Sequence, residues 1–248
     1  MKKFIVMICI TLSPFAFSQE KEKKVEEKKE VKEKKKPNMG LKEQSKSERT
    51  APWNYNGLIL NLSGGLGLGY ADQSFTGVNH TSTGDTDALL IELSGNAQGG
   101  WMVKGFYIAG DFRVDYGSHE EMKYDGLASI TNKDTATSVG FGLGAVVGYE
   151  FNFGFKFFAG FSPLETLSLA SKAGASTNYD GKGFKFGLDY LTDRGIGFGI
   201  QYISVTYDER EGKKFPQVLT EGTKTFRVTD YEVGKVVLYM HFPMQLSK

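Results

Sequence analysis

The chain has 248 residues, a formal net charge of +1 at neutral pH and a single cysteine. One cysteine excludes a disulfide framework and a cysteine metal site, and His80, His119 and His241 are too scattered for metal-ligand spacing, so no metal or cofactor is expected. The neutral total hides an asymmetry: residues 20–50 hold 12 Lys/Arg against 8 Asp/Glu, and residues 51–248 hold 16 against 21, an acidic balance that argues against nucleic acid as a partner.

Residues 1–18 read as a secretory signal peptide. Lys2 and Lys3 precede an apolar run from Phe4 to Leu12, and Ala16-Phe17-Ser18 forms a small-x-small cleavage site before Gln19. The run is too short to span a bilayer, and Cys9 lies too early to be a lipid-attachment cysteine. Residues 19–52 follow as a Lys/Glu-rich tether, with Val25 and Val31 the only apolar residues between Glu20 and Lys36. Such a segment cannot bury a core and is expected to be disordered or a frayed helix, with contact to cell-wall polymer as its functional alternative.

From Trp53 onward the composition changes character. The chain contains 31 Gly, 19 Phe and 12 Tyr but only 6 Pro, which suits many closely packed strands. Apolar residues recur at every second position in eight segments: Gly57–Tyr70, Ala88–Trp101, Phe106–Tyr116, Ser138–Phe151, Phe153–Phe161, Gly183–Tyr190, Ile196–Tyr202 and Val233–Phe242. Three connections are short, at Met102–Gly105, Asn152–Gly154 and Leu191–Gly195. Four are long and polar, over roughly 71–87, 117–137, 162–182 and 205–230. A register with Trp101 opposite Phe106 places Ser94 opposite Arg113, and one with Phe151 opposite Phe155 places Glu150 opposite Lys156.

Alternation leaves open which face is buried. A soluble, lipocalin-like barrel turns the Leu/Phe face inward; a membrane barrel turns it outward. The glycine-rich face fits the cramped inside of an eight-stranded barrel, whereas the Leu/Phe/Val/Ile face is too bulky for it. Aromatic residues give the same answer. Trp101, Phe106, Tyr149, Phe151, Phe153, Tyr190 and Phe242 fall at the short-turn ends of strands, and Tyr70, Tyr116, Phe184 and Tyr202 fall near the long connections. Two such rings are the girdles of the two bilayer interfaces. The fold class expected is therefore all-β: an eight-stranded antiparallel up-and-down transmembrane β-barrel over residues 53–242, with short periplasmic turns, long extracellular loops, both termini periplasmic and a short tail over 243–248.

The signal peptide, the alternating strands and a last strand VGKVVLYMHF ending on Phe242 resemble the small outer-membrane barrels of the OmpA transmembrane-domain, OmpX and OmpW type. The resemblance implies outer-membrane lipid and lipopolysaccharide as surroundings. It also implies the barrel-insertion machinery as a partner, with the C-terminal aromatic as its recognition signal.

Nine charges are expected to point inward: Glu92, Asp111, Arg113, Asp115, Glu150, Lys156, Lys185, Asp189 and Lys235. Buried charges must be paired, so five acids and four bases read as an ion-pair network filling the lumen. The expected role is structural or surface-interacting with little or no conductance; a narrow pore is the alternative. An OmpW-type apolar route suits this polar lumen poorly. Catalysis is not expected: His80-Thr81-Ser82 and His119-Glu120 are read as single histidines in outer loops, a thin basis for an enzyme acting on lipid A.

Overall fold

The computed structural model describes residues 54–79, 83–124, 135–171, 176–192, 195–221 and 223–246. The signal peptide, the tether, Trp53 and the His80-Thr81-Ser82 segment lie outside these residues. The described elements are ten β-strands: β1 (Asn56–Gly77), β2 (Thr83–Val103), β3 (Phe106–Tyr124), β4 (Thr135–Glu150), β5 (Phe155–Ser171), β6 (Ser176–Leu191), β7 (Gly197–Arg210), β8 (Lys213–Lys214), β9 (Gln217–Glu221) and β10 (Lys224–Gln245). β1 to β7 pair in sequence order, and β10 closes the ring by pairing with both β1 and β7. Eight long antiparallel strands thus form a barrel, while β8 and β9 fill the outer part of the gap between β7 and β10.

The paired registers fix the geometry of the ring. One circuit from Leu60 runs through Gly99, Gly110, Ala145, Phe161, Phe184, Ser204 and Gly234 and returns to β1 at Tyr70, an offset of 10 residues (70 − 60). With eight strands, that stagger tilts them roughly 40° from the barrel axis. The interior is then wide enough for side chains and little else.

The first hairpin differs in register from expectation. Val103, not Trp101, lies opposite Phe106, and Ser94 pairs with Asp115 while Asn96 pairs with Arg113. The connection is two residues, Lys104 (φ 49°) and Gly105 (φ 85°), both left-handed. Two-residue turns with both φ values positive match the right-handed twist of the flanking strands, so Met102 and Val103 stay in the ladder. At the second short turn Phe151 N–H donates to the Phe155 carbonyl at 2.7 Å, and Glu150 lies opposite Lys156.

The long connections are mostly strand. β1 continues to Gly77, β3 to Tyr124, β5 to Ser171 and β7 to Arg210, so the polar segments read as loops carry the barrel well past the second aromatic ring. The pattern changes phase there. Near the short turns the outward positions are apolar: Leu62, Leu66, Leu68, Ile91, Leu93, Ile108, Phe112, Leu143 and Phe186 are all exposed. Beyond Tyr70, Tyr116 and Tyr202 the outward positions become Asp72, Thr76, Glu120, Thr206 and Glu232. Inward positions become apolar instead, with Ala71, Phe75, Leu90, Leu167, Tyr179, Tyr207, Val228 and Tyr231 buried. A greasy-outside barrel turns into a greasy-inside barrel along the same strands. At the other end, β10 runs past Phe242, and Pro243, Met244 and Gln245 still pair with β1.

Candidate functional site: the charged lumen

All nine expected charges lie inside the barrel and are buried. They fall into two tiers. In the tier farther from the short turns, Arg113 Nε reaches Asp115 Oδ2 at 2.8 Å and Lys235 Nζ bridges Glu92 Oε2 and Asp115 Oδ2 at 2.6 Å each. Ser94 Oγ donates to Asp115 Oδ1 at 2.7 Å, and Ser138 Oγ donates to Glu92 Oε1 at 3.2 Å. These contacts follow from register. Ser94 and Asp115 are a β2–β3 pair, Glu92 sits diagonally from Asp115, and inward residues of neighbouring strands stand within reach of one another.

In the tier nearer the short turns, Lys185 Nζ lies 2.5 Å from Asp111 Oδ1 and Lys156 Nζ lies 2.6 Å from Asp189 Oδ2. Asp111 Oδ1 also accepts from Asn96 Nδ2 at 2.9 Å and Gln98 Nε2 at 3.1 Å. Tyr239 donates its hydroxyl to Asp189. Lys156 stands between Glu150 on β4 and Asp189 on β6 in one cross-strand row, and its ammonium reaches Asp189.

Two participants belong to segments read as loops. Glu165 is buried on β5 and accepts from Arg113 Nη2 at 2.7 Å, so Arg113 is held between two carboxylates. Simple alternation along β5 would turn Glu165 outward. An extra residue at Pro163-Leu164 breaks the ladder on both sides and restores it to the inside. The signal was Pro163, since a proline within a strand marks an edge or a bulge. His119 is not in an outer loop but buried on β3, with Nδ1 3.1 Å from the Tyr231 hydroxyl and Nε2 3.5 Å from Glu92 Oε1. It forms no exposed His-Glu pair with Glu120, whose side chain faces outward. His241 supplies the matching imidazole of the other tier, 3.1 Å from Asn61 Oδ1 and 3.9 Å from Asp189 Oδ2.

The charged tiers are enclosed at both ends. Tyr179, Tyr207 and Tyr231 gather above them, the Tyr179 and Tyr231 rings stacked at 4.8 Å, and Phe75, Phe226 and Val228 form a further apolar cluster. At the short-turn end Tyr55, Met102, Tyr107 and Phe158 are buried. A small cavity remains between the tyrosines and the first tier, lined by Glu92, His119, Tyr207 and Lys235 among others. No group of His, Cys, Asp and Glu side chains among the described residues is arranged to hold a metal ion.

On the outside, the expected girdle residues lie at the two ends of the apolar belt. Trp101, Phe106, Phe151, Tyr190 and Phe242 are exposed near the short turns, and Tyr70, Tyr116 and Tyr202 are exposed at the far border, with Tyr149 partly covered. Tyr149, Phe151, Phe153, Phe155 and Tyr190 follow one another ring to ring at 4.9 to 6.1 Å. Trp101 Nε1 donates to Asn56 Oδ1 at 2.9 Å.

No family model matches the sequence, and no curated protein matches it. Solved structures do. The outer membrane protein OprG from Pseudomonas aeruginosa aligns with a TM-score of 0.52 at 11% identity, over 77% of this chain and 98% of that one. The solid-state NMR structure of AlkL in lipid bilayers aligns at 0.47 with 12% identity, over 78% and 93%. Neisserial surface protein A aligns at 0.40 with 13% identity, over 75% and 96%. The OprG alignment shows a shared barrel fold.

Proposed function

We propose that this chain is a bacterial outer-membrane β-barrel protein with a closed, ion-paired lumen, serving a structural or surface-interaction role with little or no conductance. The observation that carries the reading is the change of phase at the second aromatic ring. An apolar exterior over a tightly filled polar interior is stable only in lipid, and a polar exterior over an apolar interior is the arrangement for water. From Leu58 to Tyr70 a strand tilted about 40° rises roughly 30 Å, the thickness of a bilayer's hydrocarbon core. The short turns, with the tether and the C-terminus, face the periplasm in this reading, and the extended strands stand outside the cell.

The two enclosing apolar layers and the paired charges between them support a plug rather than a channel. Membrane fractionation and heat-modifiable migration on gels test the placement: a soluble periplasmic monomer would end it. Planar-bilayer recording tests the plug, with no discrete steps expected from the wild-type chain; a steady unitary conductance would replace the plug with a pore.

A further inference from the structure

The eight long strands close on themselves, but the piece inserted between β7 and β10 does not. Among the described residues β8 pairs only with β7 and β9 only with β10, so two sheet edges face each other across a split in the outer wall. Gln217 closes the base of that split, its side-chain amide donating to the carbonyls of Arg210 and Lys213. β8 is two residues long, whereas β9 runs for five, from Gln217 to Glu221. The exposed edge is therefore mainly that of β9.

The hydrogen bonds of β10 identify which groups that edge presents. Thr225 turns both backbone groups toward β1: its N–H donates to Asn79 Oδ1 at 3.0 Å and its carbonyl accepts from Val78 N–H at 2.8 Å. Its neighbours Lys224 and Phe226 therefore serve β9, through Glu221 and Leu219. By the same alternation the N–H and C=O of Val218 and Thr220 point away from β10, into the split. No proline or lysine lies within Val218-Leu219-Thr220 to blunt the edge. Val218 is exposed on the outer face, and Leu219, opposite Phe226, packs on the inner face against the cluster of Phe75, Phe226 and Val228.

We propose that β9 pairs with the β9 strand of a second copy of this chain carried by a facing membrane, antiparallel and centred on Leu219. The inference rests on the outer-membrane placement proposed above and names the partner of its surface role. In that register Val218 of each copy exchanges both backbone bonds with Thr220 of the other, so each free donor finds a free acceptor. Val218 and Thr220 also meet as a pair of β-branched side chains, which suits a cross-strand contact. On the inner face the apolar row of Phe226 and Leu219 continues through the two-fold axis into the same row of the copy. The copy thus matches the edge in bonding and in apolar face at once. Direction selects the membrane it comes from. All β9 strands of one membrane run away from it, so two neighbours there cannot lie antiparallel, whereas copies in facing membranes can. Five residues a side cover far less than the roughly 800 Å² per partner of a stable interface, so a single contact is weak and adhesion needs many.

The test is clumping of proteoliposomes that carry the full chain at high density, read by dynamic light scattering. Co-flotation with lipid and sensitivity to external protease first select preparations in which the barrel is inserted with β9 outward; failure at that step speaks against the membrane placement and not against the pairing. Wild-type vesicles are expected to clump. Val218→Pro combined with Thr220→Pro is expected to bring clumping down to the level of empty vesicles, because proline removes the N–H that faces the copy and none that serves β10. Val218→Ala combined with Thr220→Ala keeps those donors and should retain most of the clumping. Leu219→Cys in a Cys9→Ser background reads the register without proline: oxidation should link chains of different vesicles at position 219, and Thr225→Cys, on β10, should give no such link. Wild-type vesicles that stay apart with β9 outward, a folded proline variant that clumps like wild type, or equal linkage at positions 219 and 225 would each overturn the proposal.

Discussion

Arg113 and Glu165 lie 52 residues apart in sequence and meet at 2.7 Å inside the barrel, through one surplus residue in β5. Glu165→Ala leaves a fully buried guanidinium with one partner removed, a loss expected to cost about 3–5 kcal/mol. Glu165→Gln keeps an acceptor for Arg113 Nη2 and should cost much less. Urea unfolding in micelles or vesicles, followed by tryptophan fluorescence, compares the two; equal losses would mean that Arg113 does not depend on this contact.

Gly99 and Gly100 are neighbours in β2 that face opposite ways. A Cβ on Gly99 would meet nothing within 4 Å, whereas one on Gly100 would stand 2.0 Å from the Ile108 carbonyl oxygen and 2.4 Å from Ala109 Cα. Backbone of a paired strand cannot step aside as a flexible side chain does. Gly100→Ala is expected to destabilise by about 1–3 kcal/mol and Gly99→Ala to be near neutral. The temperature at which the compact gel band disappears reads the difference.

Substitution by arginine should report the border of the lipid belt. At Leu66, exposed near the middle of the belt, it is expected to cost about 2–4 kcal/mol in lipid vesicles. At Thr76, on the same outer face of β1 but beyond Tyr70, the effect should lie within about 0.5 kcal/mol. Equal effects at the two sites would remove the phase change as a membrane boundary.

The Lys104-Gly105 turn offers a local test. Gly105 has φ 85°, and a Cβ there would lie 2.5 Å from the Glu150 carbonyl oxygen. Gly105→Ala should therefore destabilise by about 1 kcal/mol or more, while Lys104→Asn, better suited to positive φ, should be neutral or stabilising. Refolding yield and urea midpoint of the two variants check this.

Sequence reading succeeded where one period and one solvent governed a strand. The inward set from Asp111 to Asp115 is legible because Phe106, Ile108 and Phe112 alternate with it without interruption. Beyond Tyr70 the same strands switch their apolar positions to the other face, and the resulting mixture of Asp, Ser, Thr and Tyr resembles a loop. His119 was misplaced for that reason. Glu165 falls in the segment 162–182 that reads as a loop, and the one-residue slip at Pro163-Leu164 that turns it inward has no periodic signature; the Ser94–Asp115 pairing follows from a turn shorter by two residues than its composition suggests. Periodicity is a local signal, and bulges, turn types and a change of solvent each reset its phase.

Among the described strands, β10 alone joins the two edges of the ring, pairing with β1 on one side and β7 on the other. One of its inward residues, His241, touches Asn61 across 180 residues of sequence. Until that last strand arrives, β1 and β7 each present an unsatisfied row of amides, and no earlier hairpin can relieve either. Closure must therefore wait for β10 and bear the entropy of a very long loop, which makes formation of this barrel an act of all its long strands together rather than a stepwise growth from β1.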